Sequence, residues 1–515
     1  MHVYFNVRAY ANAAGGIGNV RVDTVIENSW TYAPSPKNEL YSATIRVGQS
    51  TTEVTDLKHY QHARWHKVLW SKGDPNVYAK VDTDYLQSTR AISRYAELDP
   101  DEKFLDSLHA SFPPMTNGSQ TKSMGQTGAQ AAIGPLPQWT STYVVSSDRR
   151  AFDWMLANDD AAGTYGFHYR DQTTGRPTEI TRHPYATTNN NAKNTNPQHA
   201  ADLIPNCKGD CGSPYTFDTS HHPSIGYVSY LVTGDYYYLE EMQFTAAYTE
   251  LETNPAYRSY DQGLLKGAQS QVRGQAWALR SLADAAFATP DDDPMKGYFN
   301  TLVANIFASY NGFYTHADAS KHPIHVLNDY GAVIYPFGAE DRVGIATWQQ
   351  AFFTWSVGHA AEQGFDGARP FLQWLGDFQV GVMTNWQADP KQGYCWLEAS
   401  AYSLQVRPAQ NAPDFASLDE AYRANFPKEA GLTCNSQEMV DALSASKGSH
   451  YVIGEMSGYA NSPTGFPSNF QIGLAMAVDS GIANGKSAWE IFDGRTVKPN
   501  YADNPNFAVI PRSVP

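Results

Sequence analysis

Near residue 84 the hydrophobic period of the chain changes, and this constrains the fold more than any other feature. Before it, VRVDTVIENSW and ELYSATIRVG alternate apolar and polar residues. Such alternation turns one face of a strand to a core and the other to water. APSPKN between them has turn composition, and KVLW and NVYAKV read as short strands around SKGDP. From Asp84 apolar residues recur at helical spacing, as in DYLQSTRAISRYAEL with Tyr85, Ala91, Ile92 and Tyr95. The expected fold class is α+β multidomain. An antiparallel β-sandwich or β-barrel over 1–83 precedes helical hairpins closed into an (α/α)n toroid over 84–495, with a tail at 496–515.

The toroid expectation rests on connections. WTSTYVVSS, DRRAFDWMLAND, PSIGYVSYLV, YYYLEEMQFTAAYTEL, QSQVRGQAWALRSLADAAFA and MKGYFNTLVANIFASY all read as helices. So do IATWQQAFFTWSVGHAAEQ, ARPFLQWLGDFQVGVM, NFQIGLAMAVDSG and KSAWEIFDG. Short turns such as TGD, TPDDD and GFDG join neighbours, and short turns make antiparallel hairpins. No repeat of fixed length exists, which argues against a simple solenoid and leaves an open helical bundle as the alternative to the toroid. Residues 111–135 and 162–218 are long irregular stretches, of the kind that carry function.

At 515 residues the chain exceeds one ordinary core. Its 32 Tyr and 12 Trp are many for 37 Lys+Arg, and flat aromatic faces with polar edges suit sugar rings. A net charge of −15 argues against a nucleic-acid partner, since phosphate binding needs a positive field. No apolar run is long enough to span a membrane, so no membrane partner is expected. MHVYFNVRAY reads as a strand and not as a leader, so an enzyme acting outside the cytoplasm is expected to start here after a removed one. Extracellular or periplasmic placement is the expectation. It suits disulfides at Cys207–Cys211 and Cys395–Cys434, with free thiols the alternative. The oligomeric state stays open.

Three segments concentrate chemistry-bearing residues. In YTFDTSHHPSIGYVSYL, Asp218 or Ser220 can cap a helix starting around Pro223, which puts His221 and His222 at its N-terminus. The helix dipole there favours neutral imidazole, a usable base, with Tyr227 and Tyr230 following. In QSQVRGQAWALR, Arg273 and Trp277 share a face: a guanidinium for a carboxylate and a ring for a sugar. In TYGFHYRDQTTGRP, His168, Arg170 and Asp171 crowd a loop. Gln138, Trp139, Trp348 and Tyr330 are further candidates for a cleft wall or an acid. HPIH lacks a second ligand pair, so no metal is expected. Walker, GxGxxG and GxSxG signatures are absent, and no cofactor is expected.

RGQAWALR resembles the RGQAWAL-type helix of unsaturated glucuronyl hydrolases, α/α-barrel enzymes of uronic acid sugars. More broadly, IGPLPQW, FDTSHHP followed by YLVTGD, RGQAWALR and WQQAFF occur in an order similar to the toroid of exo-rhamnogalacturonan-lyase-like enzymes, which carry an N-terminal β-barrel. That likeness spans about residues 20–490 and implies an (α/α) fold with a glycan substrate.

The residues then suit β-elimination on a uronate polysaccharide. Arg273 neutralises the carboxylate, His221 or His222 takes the C5 proton, and Tyr227, Tyr230 or Tyr330 protonates the leaving oxygen. The alternative is a glycoside hydrolase with paired carboxylates, Asp171 and Asp218 ahead of Asp153 and Glu240. A third reading is a non-catalytic glycan-binding protein.

Overall fold

The computed structural model describes the whole chain except residues 127–129, 190–196, 266–270, 317–318, 328–334, 337–342, 410–411 and 515. The fold is mixed α/β: a small antiparallel sheet region at the N-terminus followed by helices. Among the described residues no helix is long and apolar enough to cross a membrane.

Strands β1 (His2–Ala11), β2 (Ile17–Glu27) and β5 (Arg64–Trp70) pair antiparallel in the order β1-β2-β5, and β3 (Glu39–Val47) pairs with β4 (Ser50–His59). Ile26, Ile45, Trp65 and Met115 form a small core between the two sheets. The alternation in β3 does what period two dictates, whereas β2 is buried on both faces from Asp23 to Glu27, with Ile26 in this core and Val25 against Tyr237 and Tyr238. NVYAKV forms no strand.

The helices are α1 (Thr83–Ser88), α2 (Glu102–Asp106), α3 (Gln138–Ser146), α4 (Arg149–Ala162), α5 (Tyr227–Thr233), α6 (Tyr236–Glu252) and α7 (Val272–Ala288). They continue with α8 (Met295–Tyr310), α9 (Thr347–Glu362), α10 (Ala368–Thr384), α11 (Leu418–Asn425), α12 (Gln437–Lys447), α13 (Phe466–Asp479) and α14 (Gly485–Asp493). A short sheet orders β6 (Tyr335–Pro336), β7 (Val343–Ile345) and β8 (Leu404–Arg407) side by side. The helix expected from Asp84 ends at Ser88, because Arg90 adopts a left-handed φ of 66°. Helix α9 is buried from Thr347 to Ala361 and lies between α7 and α13. A helix apolar or small on every side belongs in a core. The segment after residue 495 returns to this core: Ile510 N–H donates to Arg94 O, and the Arg512 guanidinium binds Glu362. Disulfides join Cys207 to Cys211 and Cys395 to Cys434.

Charged side chains tie the N-terminal sheet to the helices. Arg64 of β5 lies 3.2 Å from Glu27, 3.1 Å from Glu240 and 3.1 Å from Glu241, and all four side chains are buried. Arg170 grips Glu27 through two 2.7 Å bonds and Glu240 at 2.8 Å. A second tie is His66, held between Asp23 of β2 at 2.8 Å and Asp160 of α4 at 2.7 Å, its ring stacked 3.6 Å from Tyr237. Burial disfavours its charge, but the two carboxylates outweigh burial and push its pKa up to about 10. A raised histidine stabilises the fold fully below its unfolded pKa of about 6.5, and the contribution disappears as pH rises through about 10. His66→Gln should therefore cost about 1–2 kcal/mol at pH 6, allowing for water at half-exposed Asp160. The gap to the parent in urea unfolding should close toward pH 10. A gap that stays constant across that range would refute the charged pairing.

Candidate functional site

Three helices open on one cleft of about 520 Å³ at their N-terminal ends. Arg273 is the second residue of α7, Trp348 and Gln349 follow the first residue of α9, and Phe466 and Asn469 lie in the first turn of α13. None of the three helices has a side-chain cap from its own N-cap residue. Their positive dipole ends thus lie at the same cleft as a guanidinium, which favours an anion. Gln349 Oε1 accepts from the Arg273 backbone N–H at 3.2 Å and ties two of these ends together. Arg273 Nε donates to Gln271 Oε1 at 2.7 Å, and its guanidinium lies 5.6 Å from the Trp348 ring centre.

Aromatic rings run outward from that point. Trp348 and Tyr402 lie 6.3 Å apart and near parallel, Tyr402 and Phe466 lie 5.3 Å apart, and Phe466 and Tyr459 lie 6.1 Å apart. Tyr402 is 60% exposed and Tyr459 73% exposed. Asn461, Ser462 and Thr464 add polar edges, while Ile133, Phe352 and Phe507 form an apolar floor. Among the described residues that line the cleft there is no Asp or Glu.

Of the residues singled out in the sequence, Arg273 and Trp348 meet here. Trp277, on the helix of Arg273, is fully buried with Phe352 at 4.7 Å and the Arg280 guanidinium at 4.8 Å. Trp139 is likewise in the core, and Gln138 Nε2 donates to Asp503 O. Helix α5 begins at Tyr227 and not near Pro223, because Gly226 turns with a left-handed φ of 73°. A side chain there would meet Tyr238 O at 2.4 Å. His221 and His222 therefore occupy a turn before the helix. His221 Nδ1 pairs with Asp218 Oδ1 at 2.6 Å, and Asp218 Oδ1 also accepts from Ser220 N–H. His222 is buried, with Nδ1 on Thr219 O and Nε2 on Ser281 Oγ, both at 2.8 Å. Burial, then Arg280, hold its pKa well below the usual value. Ser281 sits about 12 Å up α7 from Arg273 at the helical rise, so His222 and Arg273 are not in contact.

Tyr227 is buried and donates to Ala91 O at 2.6 Å. Tyr230 lines a separate depression with Arg176 and Tyr236. His168 contacts Glu241 at 3.0 Å, and Arg170 belongs to the buried charge cluster. Asp171 pairs with His183 at 3.2 Å. Tyr330 lies outside the described residues. Sequence reasoning missed Tyr402, Tyr459, Phe466 and Asn469. The usable signal was SGYANSPTGFPSN, where a tyrosine sits among turn formers ahead of a helix with Pro in its first turn.

No protein-family model, curated protein or solved structure matches this chain.

Proposed function

We propose that the chain is a polysaccharide lyase that binds a uronic-acid-containing glycan in the Arg273–Trp348 cleft and cleaves it by β-elimination. The observation that carries this reading is the convergence of Arg273 and three helix N-termini on an aromatic-lined cleft. The guanidinium and helix ends suit a carboxylate, and the rings suit sugar faces. Pairing the carboxylate with Arg273 acidifies the proton at C5. A base takes that proton, the C4–O bond breaks, a C4=C5 double bond forms, and the leaving oxygen is protonated. The phenol of Tyr402, exposed beside Trp348, is our candidate for proton transfer.

Elimination is favoured over hydrolysis by the cleft's chemistry. Hydrolysis with two carboxylates needs a pair at the cleaved bond. Asp153, Asp171, Asp218 and Glu240 are each held by Arg or His elsewhere. The toroid reading of the helices belongs to the same proposal. It is supported by hairpin contacts of α3 with α4, α7 with α8 and α13 with α14. Two disulfides support an oxidising, extracellular or periplasmic location.

The test is ultraviolet absorbance of the conjugated double bond during incubation with alginate, pectin fragments, glucuronan and glycosaminoglycans. The parent should generate it on at least one polymer. Arg273→Ala should slow it by about 10²-fold, as removal of one charge-stabilising donor does. Tyr402→Phe, which keeps the ring and removes the proton, should slow it by about 10²-fold as well. New reducing ends without absorbance would replace the lyase with a hydrolase. Binding without cleavage would leave a glycan-binding protein.

A further inference from the structure

Tyr459 is held in an unfavourable backbone conformation and yet packs little of its ring. Its φ of 68° lies in the left-handed region, which costs free energy for an aromatic residue, and its side chain is 73% exposed. The surrounding loop is fixed by its own backbone. Phe466 N–H donates to Gly458 O at 2.9 Å, Ser462 N–H to Tyr459 O at 3.0 Å and Gly465 N–H to Ser462 O at 3.0 Å. A side chain at Gly465 would meet Tyr459 O at 2.1 Å, and one at Gly458 would meet Phe466 at 2.8 Å. The loop therefore presents the ring to solvent in a set place, at the outer end of the series that starts at Arg273.

The three steps of that series, 6.3 Å from Trp348 to Tyr402, 5.3 Å from Tyr402 to Phe466 and 6.1 Å from Phe466 to Tyr459, are each comparable to the advance of one sugar ring along a chain. Asn461, Ser462 and Thr464 lie on the loop between Tyr459 and Phe466, so the rim sets polar groups beside the aromatic faces. Hydroxyl-rich rings fit that mixture of flat faces and polar edges, and a purely apolar ligand would not use the polar groups.

Resting on the reading of the cleft as a glycan site, we infer that Tyr459, backed by Phe466, is a stacking platform for sugar units next to the one bound at Arg273. The preferred ligand is then an oligosaccharide or longer chain. A single uronate does not reach the platform.

The experiment is isothermal titration with uronate oligosaccharides of graded length, prepared by acid cleavage of alginate, pectin, glucuronan and hyaluronan. For the parent, affinity should rise with length. Tyr459→Ala should lose about tenfold on the longer ligands. It should keep the parent's affinity for the single uronate, and Tyr459→Phe should keep the length dependence. A Tyr459→Ala variant that retains the length dependence, or that weakens every ligand equally, overturns the platform while the glycan reading stands. No binding of any uronate at any length by the parent overturns both.

Discussion

Replacing Arg64 with alanine should destabilise the chain by about 3–5 kcal/mol, the cost of removing one partner from a buried ion cluster. Arg64 lies within 3.2 Å of Glu27, 3.1 Å of Glu240 and 3.1 Å of Glu241. Its removal leaves the three buried carboxylates with Arg170, His168 and His2 as their cationic or imidazole partners and the Tyr4 and Ser29 hydroxyls as donors. Arg170 already gives its bonds to Glu27 and Glu240, so Glu241 is left with the His168 contact at 3.0 Å and the Tyr237 hydroxyl, with no arginine. An unpaired buried carboxylate relieves itself by taking a proton. The deficit in urea unfolding should thus be smaller at pH 5 than at pH 8, since the variant binds a proton that the parent does not. An equal deficit at both pH values would mean that lost packing against Tyr237, 4.3 Å from the guanidinium, accounts for the effect.

The second large effect is steric. Gly473 of α13 lies so close to α9 that a side chain would meet Ala351 O at 2.7 Å and Ala351 Cα at 2.9 Å. Backbone cannot rotate away as a side chain can, so the helices must separate. Gly358 makes the reciprocal approach, with Met476 Cβ 2.5 Å from any added carbon. Gly473→Val should therefore cost about 3 kcal/mol or more. The same two helices carry Trp348 and Phe466, so the cleft should widen too. Thermal unfolding reads the first consequence. Loss of the length-dependent affinity at a temperature where the variant stays folded reads the second. A variant as stable as the parent would mean that the helices tolerate a wider spacing.

What could be read in advance followed how local each feature is. The alternation of VRVDTVIE and the spacing of VRGQAWALRSLADAAFA are local, and β2 and α7 form there. Arg273 stands out because it shares a helix face with Trp277 away from the apolar stripe, and the structure places Arg273 in the cleft and Trp277 in the core. His168 and Arg170 looked like loop residues open to solvent. They are buried because Glu27, Glu240 and Glu241, remote in the chain, come to meet them. Tyr459 reaches the cleft with the packing of α13 on α9, and Tyr402 is set beside Trp348 where the Thr347 hydroxyl donates to Ala401 O at 2.6 Å; no local pattern encodes either.

The charge cluster also bears on synthesis. A chain leaves the ribosome from its first residue, and Arg64 emerges 176 residues before Glu240. Over that interval the strands hold a guanidinium whose helical partners have not yet been translated. Drying that face early would leave the guanidinium with Glu27 alone of its three carboxylates, so full burial is expected to follow the synthesis of Glu240 and Glu241. Closure of the sheet onto the helices thus waits for α6, and the earliest-made part of the chain is not the first to reach its final packing.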